Sequence, residues 1–405
     1  MFERLRRPDT LVVVLAAAGI LTVTMGIRQS FGLLVQPLNA TTGLSIATIS
    51  LALAIGQLAW GAIQPIAGAV ADHYGPRPVL MGGLVILALG CVLAPLIQNG
   101  FGLALSLGLL ASIGSGASSF SVLIGAAAQR LPAEARGSAS GVINAGGSFG
   151  QFIFAPVLQR LIQTVGWMGA IASMALVALA TLPLVNKLTG RGVSTRHRDP
   201  TDRGPRQAMR DAMGNPSYLL LHAGFFTCGF HVAFLVTHLP GEVNLCGLPA
   251  SVASWSIAII GLANIFGSLI AGASIAKFRS KSILAVMYAS RALLILWYLM
   301  SPRTEWTFYL FAAGLGLTWL ATVPPTAAIV GKLFGTRYLA TLFGLTLLSH
   351  QVGGFLGAWL GGLALTAFGD FSWMWYADMA LAALAALANL PIREAPVGSA
   401  ATAAA

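Results

Sequence analysis

The sequence predicts an all-α membrane protein with twelve transmembrane helices in two pseudo-symmetric six-helix bundles. Three observations lead to this fold class: long apolar stretches recur along the chain, charged residues are scarce, and the two halves resemble each other. Of the 405 residues, 57% are hydrophobic and only 9% are charged, whereas soluble proteins carry roughly 25% charged residues. Too few charges remain to cover a water-facing surface, so lipid is the expected solvent.

Apolar stretches of about 18 or more residues are long enough to cross a hydrocarbon core of roughly 30 Å as helices. Such stretches recur from Leu11 to Leu390. The expected spans are 10–38, 45–71, 78–98, 101–127, 137–163, 167–187, 217–240, 251–276, 281–300, 305–331, 338–366 and 372–392.

The basic residues predict the orientation. Of the 23 Lys and Arg residues, 19 lie on the side that holds both termini, and only Arg160 and Arg303 lie on the other. Arg28 and Arg291 lie inside spans. Because cytoplasmic loops retain Lys and Arg, both termini are expected to be cytoplasmic. The preference for Arg over Lys is typical of a GC-rich bacterial genome, so the expected location is the inner membrane.

Composition and motifs exclude several function classes. The formal charge of +11 lies between spans rather than on one folded face, which argues against nucleic acid as a partner. Cys91, Cys228 and Cys246 have no metal-binding spacing. Because no Ser/His/Asp, metal or phosphate-loop constellation is present, we expect neither an enzyme nor a cofactor. The expected partners are lipid, a small solute and protons or a counter-anion.

An internal repeat predicts the domain organisation. Shifting the chain by about 203 residues aligns Gly26 and Arg28 with Gly229 and His231, and two further regions match at nearly the same offset. The predicted units are an N-terminal bundle (1–188), a polar cytoplasmic linker (189–216) and a C-terminal bundle with a short tail (217–405). Such a parallel repeat places the solute site between the halves near mid-membrane, where rocking alternates access. A monomer is expected.

The loop after the second span carries a recognisable motif. The segment from Gly68 to Arg77 reads GAVADHYGPR and is similar to the major facilitator superfamily signature. A second copy from Gly272 to Lys281 keeps the glycine and cations but lacks the aspartate. We expect Gly68 to allow close helix contact. Asp72 is expected to accept hydrogen bonds from a neighbouring helix N-terminus and from Arg77, which would hold the inner gate.

Further segments resemble bacterial relatives of the monocarboxylate transporters and oxalate/formate exchangers. They are GIRQSFG at 26–32, Gln64-Pro65 and SHQVGGFLG at 349–357. This resemblance implies transport of a small organic anion. Oxalate- and monocarboxylate-moving members typically place an arginine in the eighth span, whereas NIFGS at 264–268 contains none. Any anion-binding cation must therefore come from elsewhere.

Arg28 is the first candidate for that cation. An arginine at a span's centre costs at least roughly 2.5–3.5 kcal/mol, so it needs a partner or water. Met25, Arg28, Gln29, Gly32 and Gln36 share one helical face. The planar guanidinium fits a carboxylate bidentately. Carboxylate ligand and structural hydrogen-bond hub both remain open as its role.

Five further polar residues are candidate substrate contacts. His231 is the repeat partner of Arg28 and is expected to face it, and His350 lies on a stripe of the eleventh span. Gln57, Asn144 and Asn264 supply amides from the second, fifth and eighth spans. For each, a hydrogen bond between helices is the alternative to a solute contact.

Arg291 is a second cation inside a span, and Asp378 in the twelfth span is the expected partner for it. We interpret the two as a structural ion pair in preference to a substrate role, since pairing limits the cost of burying both charges. With no carboxylate in the central spans, the cavity should favour anions. The predicted function is secondary transport of a monocarboxylate by proton symport or anion exchange; proton-coupled efflux of hydrophobic or cationic compounds is the alternative.

Overall fold

The computed structural model describes residues 8–44, 46–188 and 204–395, and within these ranges all regular structure is helical. In the described residues, nine stretches are long and apolar enough to span a membrane individually. The remaining spans are the first half of a long kinked helix, an interrupted helix and the last helix. The twelve are α1 (Pro8–Gln29, continued by Phe31–Leu34 and Val35–Thr42), α2 (Ile46–Tyr74), α3 (Pro76–Leu93), α4 (Gly100–Arg130), α5 (133–165), α6 (167–188), α7 (Pro216–Leu245), α8 (Ala250–Ser274), α9 (Ser280–Met300), α10 (Glu305–Gly316 and Val323–Phe334), α11 (Leu339–Phe368) and α12 (Ser372–Asn389).

The helices lie close to the predicted spans. One difference is that α7 runs to Leu245, five residues beyond expectation, so its last turn contains the buried carboxylate of Glu242. Within the predicted linker, Gly204–Met213 forms a short helix, while 189–203 lies outside the described residues. The exact domain boundaries stay a prediction.

The internal repeat is visible in the backbone. Gly43 and Gly247, which follow the first helix of each half, have φ of 70° and 68°. Gly166 and Gly369, which precede the last helix of each half, have φ of 71° and 75°. Turns with positive φ, which favour glycine, therefore recur at the offset of about 203 residues that the sequence repeat shows.

Helix packing repeats in the same way. A Cβ added at Gly150 of α5 would overlap the carbonyl oxygen of Thr22 in α1, and one at Gly353 of α11 would overlap that of Phe226 in α7. Small residues allow this close approach in lipid, where apolar burial alone does not drive helices together. Each bundle thus joins its first and fifth helices at a glycine.

The two bundles meet along two helix pairs. In the α5–α8 pair, Gly141 and Gly272 face each other, and a Cβ on Gly141 would lie 2.9 Å from the Gly272 Cα. In the α2–α11 pair, Gly68 lies against the Ala340 backbone and Gly61 against Gln351. Glycines on both pairs bring the bundles into backbone contact, so rotation of one bundle on the other must break these contacts.

Candidate functional site

Arg28 lies in the last turn of α1, just before the helix tightens into the 3₁₀ turn Phe31–Leu34. Its side chain is half-buried and reaches α2, where it donates a hydrogen bond to Gln57 Oε1. The guanidinium carbon also lies 4.4 Å from the centroid of the Trp60 ring. Gln57 precedes Asp72, which lies at the end of α2, by 15 residues. At the rise of an α-helix this separation is about 22 Å, so Arg28 lies about 22 Å along α2 from Asp72.

These contacts place Arg28 on the face of the N-terminal bundle that turns toward the C-terminal bundle. Gly61 and Gln64, which follow Trp60 in α2, contact α11. A Cβ on Gly61 would lie 2.5 Å from the Gln351 Cβ, and a Cβ on Gly344 would lie 2.7 Å from the Gln64 backbone. Gln57 and the neighbouring Gln29 are exposed, while Trp60 is buried. Arg28 therefore borders the interface between the bundles rather than the interior of one bundle.

The partners of Arg28 carry no charge. Among the described residues, the side-chain contacts of Arg28 are the Gln57 amide oxygen and the Trp60 ring, and its guanidinium forms no ion pair. A guanidinium offers five N–H donors. The site thus presents a fixed positive charge, held over an aromatic face and with donors available to a ligand.

Asn144 and Asn264 form a polar latch between the bundles. Asn144 Nδ2 on α5 donates to Ser268 Oγ on α8 at 2.7 Å, and Asn264 Nδ2 on α8 donates to Ser148 Oγ on α5 at 2.6 Å. Both amides also hold Leu320: Asn144 Nδ2 donates to its carbonyl oxygen at 2.8 Å, and Asn264 Oδ1 accepts from its N–H at 2.9 Å. Two side chains predicted as solute contacts therefore bind the opposite bundle in this conformation.

Leu320 is available for this contact because α10 is interrupted. Between Gly316 and Val323 the chain is not helical, and Pro324 and Pro325 follow. A proline has no N–H, so Pro324 cannot supply the helical hydrogen bond to the Leu320 carbonyl. We call the segment 317–322 the α10 break.

Asp72 holds the bundles together at its own end of the protein. Asp72 Oδ2 accepts hydrogen bonds from the backbone N–H and the hydroxyl of Thr341, each at 2.7 Å, in the first turn of α11. Gln129 of α4 adds contacts at 3.3 Å to Asp72 Oδ1 and to the Thr336 carbonyl. A carboxylate at a helix N-terminus satisfies free N–H groups and complements the helix dipole.

The expected bond from Arg77 to Asp72 is wrong. Arg77 is exposed beyond the turn at Gly75, and the described residues show no ion pair between the two. The other expected donor, the N-terminus of a neighbouring helix, is present as the first turn of α11. In the second copy of the motif, Gly272 lies at the α5–α8 crossing and the Lys281 ammonium donates to the Leu390 carbonyl at 2.6 Å.

The expected pair between Arg291 and Asp378 is also wrong. Arg291 is 1% exposed and donates to the carbonyl oxygens of Thr318 and Trp319 in the α10 break, the latter at 2.6 Å. Its Nη1 donates to Cys228 Sγ at 3.2 Å. The break frees carbonyl groups that a buried cation satisfies, which explains why Arg291 turns toward α10 rather than α12.

Asp378 pairs with His231 instead. His231 Nδ1 lies 2.5 Å from Asp378 Oδ2, and the two side chains are 1% and 0% exposed. The His231 ring packs against Trp319 of the α10 break at 5.9 Å between centroids. In this conformation His231 is therefore enclosed by the C-terminal bundle and does not face Arg28. His350 is also buried there, with its ring 5.0 Å from that of Phe225.

A cavity of about 180 Å³ lies between the bundles at the Asp72 end, away from Arg28. Small and apolar side chains of α4, α5, α10 and α11 form most of its wall, and Arg136 and Lys332 supply its charges. Lys332 is paired with Glu394 at 2.6 Å. The cavity extends from Ile143 and Pro324, beside the latch, toward Arg136 and Lys332 at the Asp72 end.

A family comparison decides the wider classification. Residues 14–358 match the family model described as Major Facilitator Superfamily. The chain belongs to the major facilitator superfamily. It is a multi-pass membrane transporter with the major facilitator fold and not an enzyme.

The chain is similar to several curated members of the superfamily. It is 28% identical to monocarboxylate transporter 13 of Rattus norvegicus, over 92% of this chain and 87% of that protein. It is 24% identical to the oxalate:formate antiporter of Oxalobacter formigenes, over 85% and 82%. It is also 28% identical to the fujikurins efflux protein of Gibberella fujikuroi, but over only 52% and 44%.

Among solved structures, the major facilitator proton:xylose symporter XylE superposes on 93% of this chain and 94% of its own, with a TM-score of 0.75 and 16% identity. At that identity the likeness supports the fold alone. It agrees with twelve helices in two bundles.

Sequence reasoning missed Trp60 and the α10 break. Trp60 lies three residues after Gln57, a helical spacing that places both on one face, so it could have been included with the Arg28 site. The Pro324-Pro325 pair in an otherwise apolar span was the available signal for the break. Neither feature shows in the apolar periodicity that was used to find the spans.

Proposed function

We propose that this major facilitator protein moves a small organic anion, a monocarboxylate, by alternating access between its two bundles. Proton symport or anion exchange drives the movement. We place it in a bacterial inner membrane with both termini in the cytoplasm, on the strength of the Lys and Arg distribution.

The observation that carries this proposal is the electrostatic state of Arg28. Its guanidinium borders the interface between the bundles at mid-membrane depth, and its partners in the described residues are a neutral amide and an indole ring. A charge in that position is costly unless it has a partner or water. A carboxylate fits the guanidinium fork and supplies the missing negative charge.

The names of the relatives also favour an organic anion as the substrate. Two of the relatives that match over most of their length are a monocarboxylate transporter and an oxalate:formate antiporter. These names belong to those proteins, and at 28% and 24% identity they favour a substrate class rather than a compound.

The test is uptake into proteoliposomes that contain the purified protein, with labelled acetate, lactate, pyruvate, formate and oxalate as probes. Arg28→Ala should abolish uptake of every probe that the wild type takes up, because the carboxylate loses its counter-charge. Arg160→Ala, which removes an exposed arginine near the end of α5, serves as the matched control. Size-exclusion chromatography verifies that both variants remain folded. Full uptake by Arg28→Ala would refute the anion site.

Efflux of a hydrophobic compound is the second candidate, because the fujikurins efflux protein resembles half of this chain. Thermal unfolding separates the two candidates, since a ligand that binds the native state raises its apparent stability. Stabilisation by carboxylates that is absent in Arg28→Ala supports the anion carrier. Stabilisation by lipophilic cations, equal in both proteins, supports efflux.

A further inference from the structure

We propose that the His231–Asp378 couple binds the proton that accompanies the anion, and that the α10 break transmits its protonation state to the Asn144/Asn264 latch. This inference rests on the proposed carboxylate transport and specifies its coupling. It assigns a role to the acidic side chain Asp378, which the anion site at Arg28 does not use.

The geometry of the couple is that of two groups sharing a proton. His231 Nδ1 and Asp378 Oδ2 lie 2.5 Å apart in a site that is closed to solvent on both sides. The outer atoms of the couple, His231 Nε2 and Asp378 Oδ1, are buried and have no hydrogen-bond partner in the described part of the chain. A buried polar atom without a partner is costly, so a state of the couple in which those atoms gain partners would be favoured.

Charge counting shows what a proton does here. The couple has a charge of −1 with one proton and is neutral with two, since the second proton makes His231 an imidazolium beside the Asp378 carboxylate. The other titratable groups around it are Cys228 on the same helix, Arg291 and Tyr288 on α9, and His350 on α11. Arg291 balances the one-proton state. The two-proton state leaves the cluster with a net positive charge, which favours entry of an anion into the same membrane-embedded region.

The α10 break connects this cluster to the bundle interface through two adjacent residues. Trp319 packs its ring on His231 and accepts a hydrogen bond from Arg291 with its carbonyl oxygen. The next residue, Leu320, is held by Asn144 from the opposite bundle and by Asn264. A shift of the Trp319 ring when His231 becomes charged therefore moves the backbone to which the latch is attached. Energetic coupling between two sites requires an element with two conformations whose equilibrium both sites change. The α10 break is that element for the His231–Asp378 couple and the latch.

The experiment compares net uptake with exchange in proteoliposomes, using the same labelled carboxylates. Wild-type uptake should rise with an inward proton gradient and fall when a protonophore collapses it. Asp378→Asn should reduce gradient-driven uptake about tenfold or more, within the usual range of coupling free energies. Its exchange of internal for external substrate should stay near the wild-type rate, because exchange needs no proton release. Asp370→Asn, in the exposed turn before α12, is the control.

Each outcome decides between the proposals. Wild-type uptake that ignores the proton gradient and the protonophore overturns the proton site and leaves anion exchange standing. Full gradient-driven uptake by Asp378→Asn overturns the site as well. If the wild type takes up none of the carboxylates, the proposed function fails instead.

A second measurement does not depend on the folding of an Asp378 variant. Because an imidazolium quenches the fluorescence of an adjacent indole, the wild-type fluorescence should fall as the pH is lowered and His231 gains its second proton. Trp319→Phe should remove this pH-dependent component. If the wild-type fluorescence does not change with pH, His231 keeps one protonation state and the proposal is overturned. His231→Gln provides an independent uptake variant that should behave as Asp378→Asn does.

Discussion

At the scale of single residues, Arg291 shows how a buried cation is satisfied without an acid. Its hydrogen bonds go to the Thr318 and Trp319 carbonyls, which the interruption of α10 leaves without helical partners. Carbonyl groups without helical hydrogen bonds carry partial negative charge, so a guanidinium that donates to them is favourable. We therefore propose that Arg291 fixes the conformation of the α10 break to which the latch is attached.

Arg291→Ala should lower the thermal stability of the detergent-purified protein. The substitution leaves buried carbonyl groups without donors, and each such group costs about 1–3 kcal/mol. Arg291→Lys should recover part of the loss, because an ammonium keeps the charge but not the fork. Arg160→Ala is the exposed control. An unfolding temperature for Arg291→Ala equal to that of the wild type would contradict this role.

These residues also show how far the sequence determines a site. The apolar stretch predicted that Arg28 lies inside the first span, and helical spacing predicted the polar face that it shares with Gln29. The partners of Arg291 and Asp378 did not, because both lie near the middle of spans and only the rotation of each helix about its axis decides which neighbour a side chain meets. Asp378 turns toward α7 and Arg291 toward α10. Spacing within one helix carries no information about that rotation relative to the next.

At the scale of elements, the segment after α12 ties three helix ends together. Glu394 accepts a hydrogen bond from the Lys281 N–H at the start of α9 at 2.7 Å, and from the Lys332 ammonium at the end of α10 at 2.6 Å. Partial burial raises the pKa of Glu394, but these hydrogen bonds outweigh it and leave the pKa below its ordinary value. The carboxylate form therefore contributes to stability.

The sign of this shift predicts a pH dependence. Because the folded-state pKa is depressed, the contribution is fully present above the ordinary glutamate pKa of about 4.3 and is lost as the pH falls through the lower folded value. Glu394→Gln should therefore unfold at a lower temperature than the wild type at neutral pH, and the difference should vanish in acid. Glu305→Gln, at an exposed helix start, should show no such difference. A deficit that persists in acid would mean that the charge is not responsible.

The overall architecture was more predictable than the site. Apolar runs long enough to span lipid, the basic residues between them and the repeat at about 203 residues predicted the helices and the pseudo-symmetry, because each is a property of many residues together. The interruption of α10 was less visible. The α10 break lies inside the predicted span 305–331, in an apolar segment whose hydropathy does not change there. Hydropathy registers the length of a span and not the continuity of its hydrogen bonds.

At the scale of the whole molecule, the hydrogen bonds between the bundles form two layers. One layer is the Asp72 contact with Thr341, and the other is the latch. A further hydrogen bond between the bundles, from Gln129 to the Thr336 carbonyl, lies beside the Asp72 layer. The bundles are therefore joined at the Asp72 end, and the cavity lies between them at that end.

Breaking the latch should open that cavity. Asn144→Ala removes two hydrogen bonds between the bundles, each contributing about 1 kcal/mol, so the population open at the Asp72 end should rise about tenfold or more. Asn389→Ala is the matched control, because Asn389 is also buried but donates within its own helix. The readout is maleimide labelling of Ser140→Cys, a cavity-wall residue that is 6% exposed, in a background in which the partly exposed Cys246 is replaced by serine. Equal labelling with and without Asn144 would show that the amides do not hold the bundles together, and the Asp72 contact alone would then account for closure.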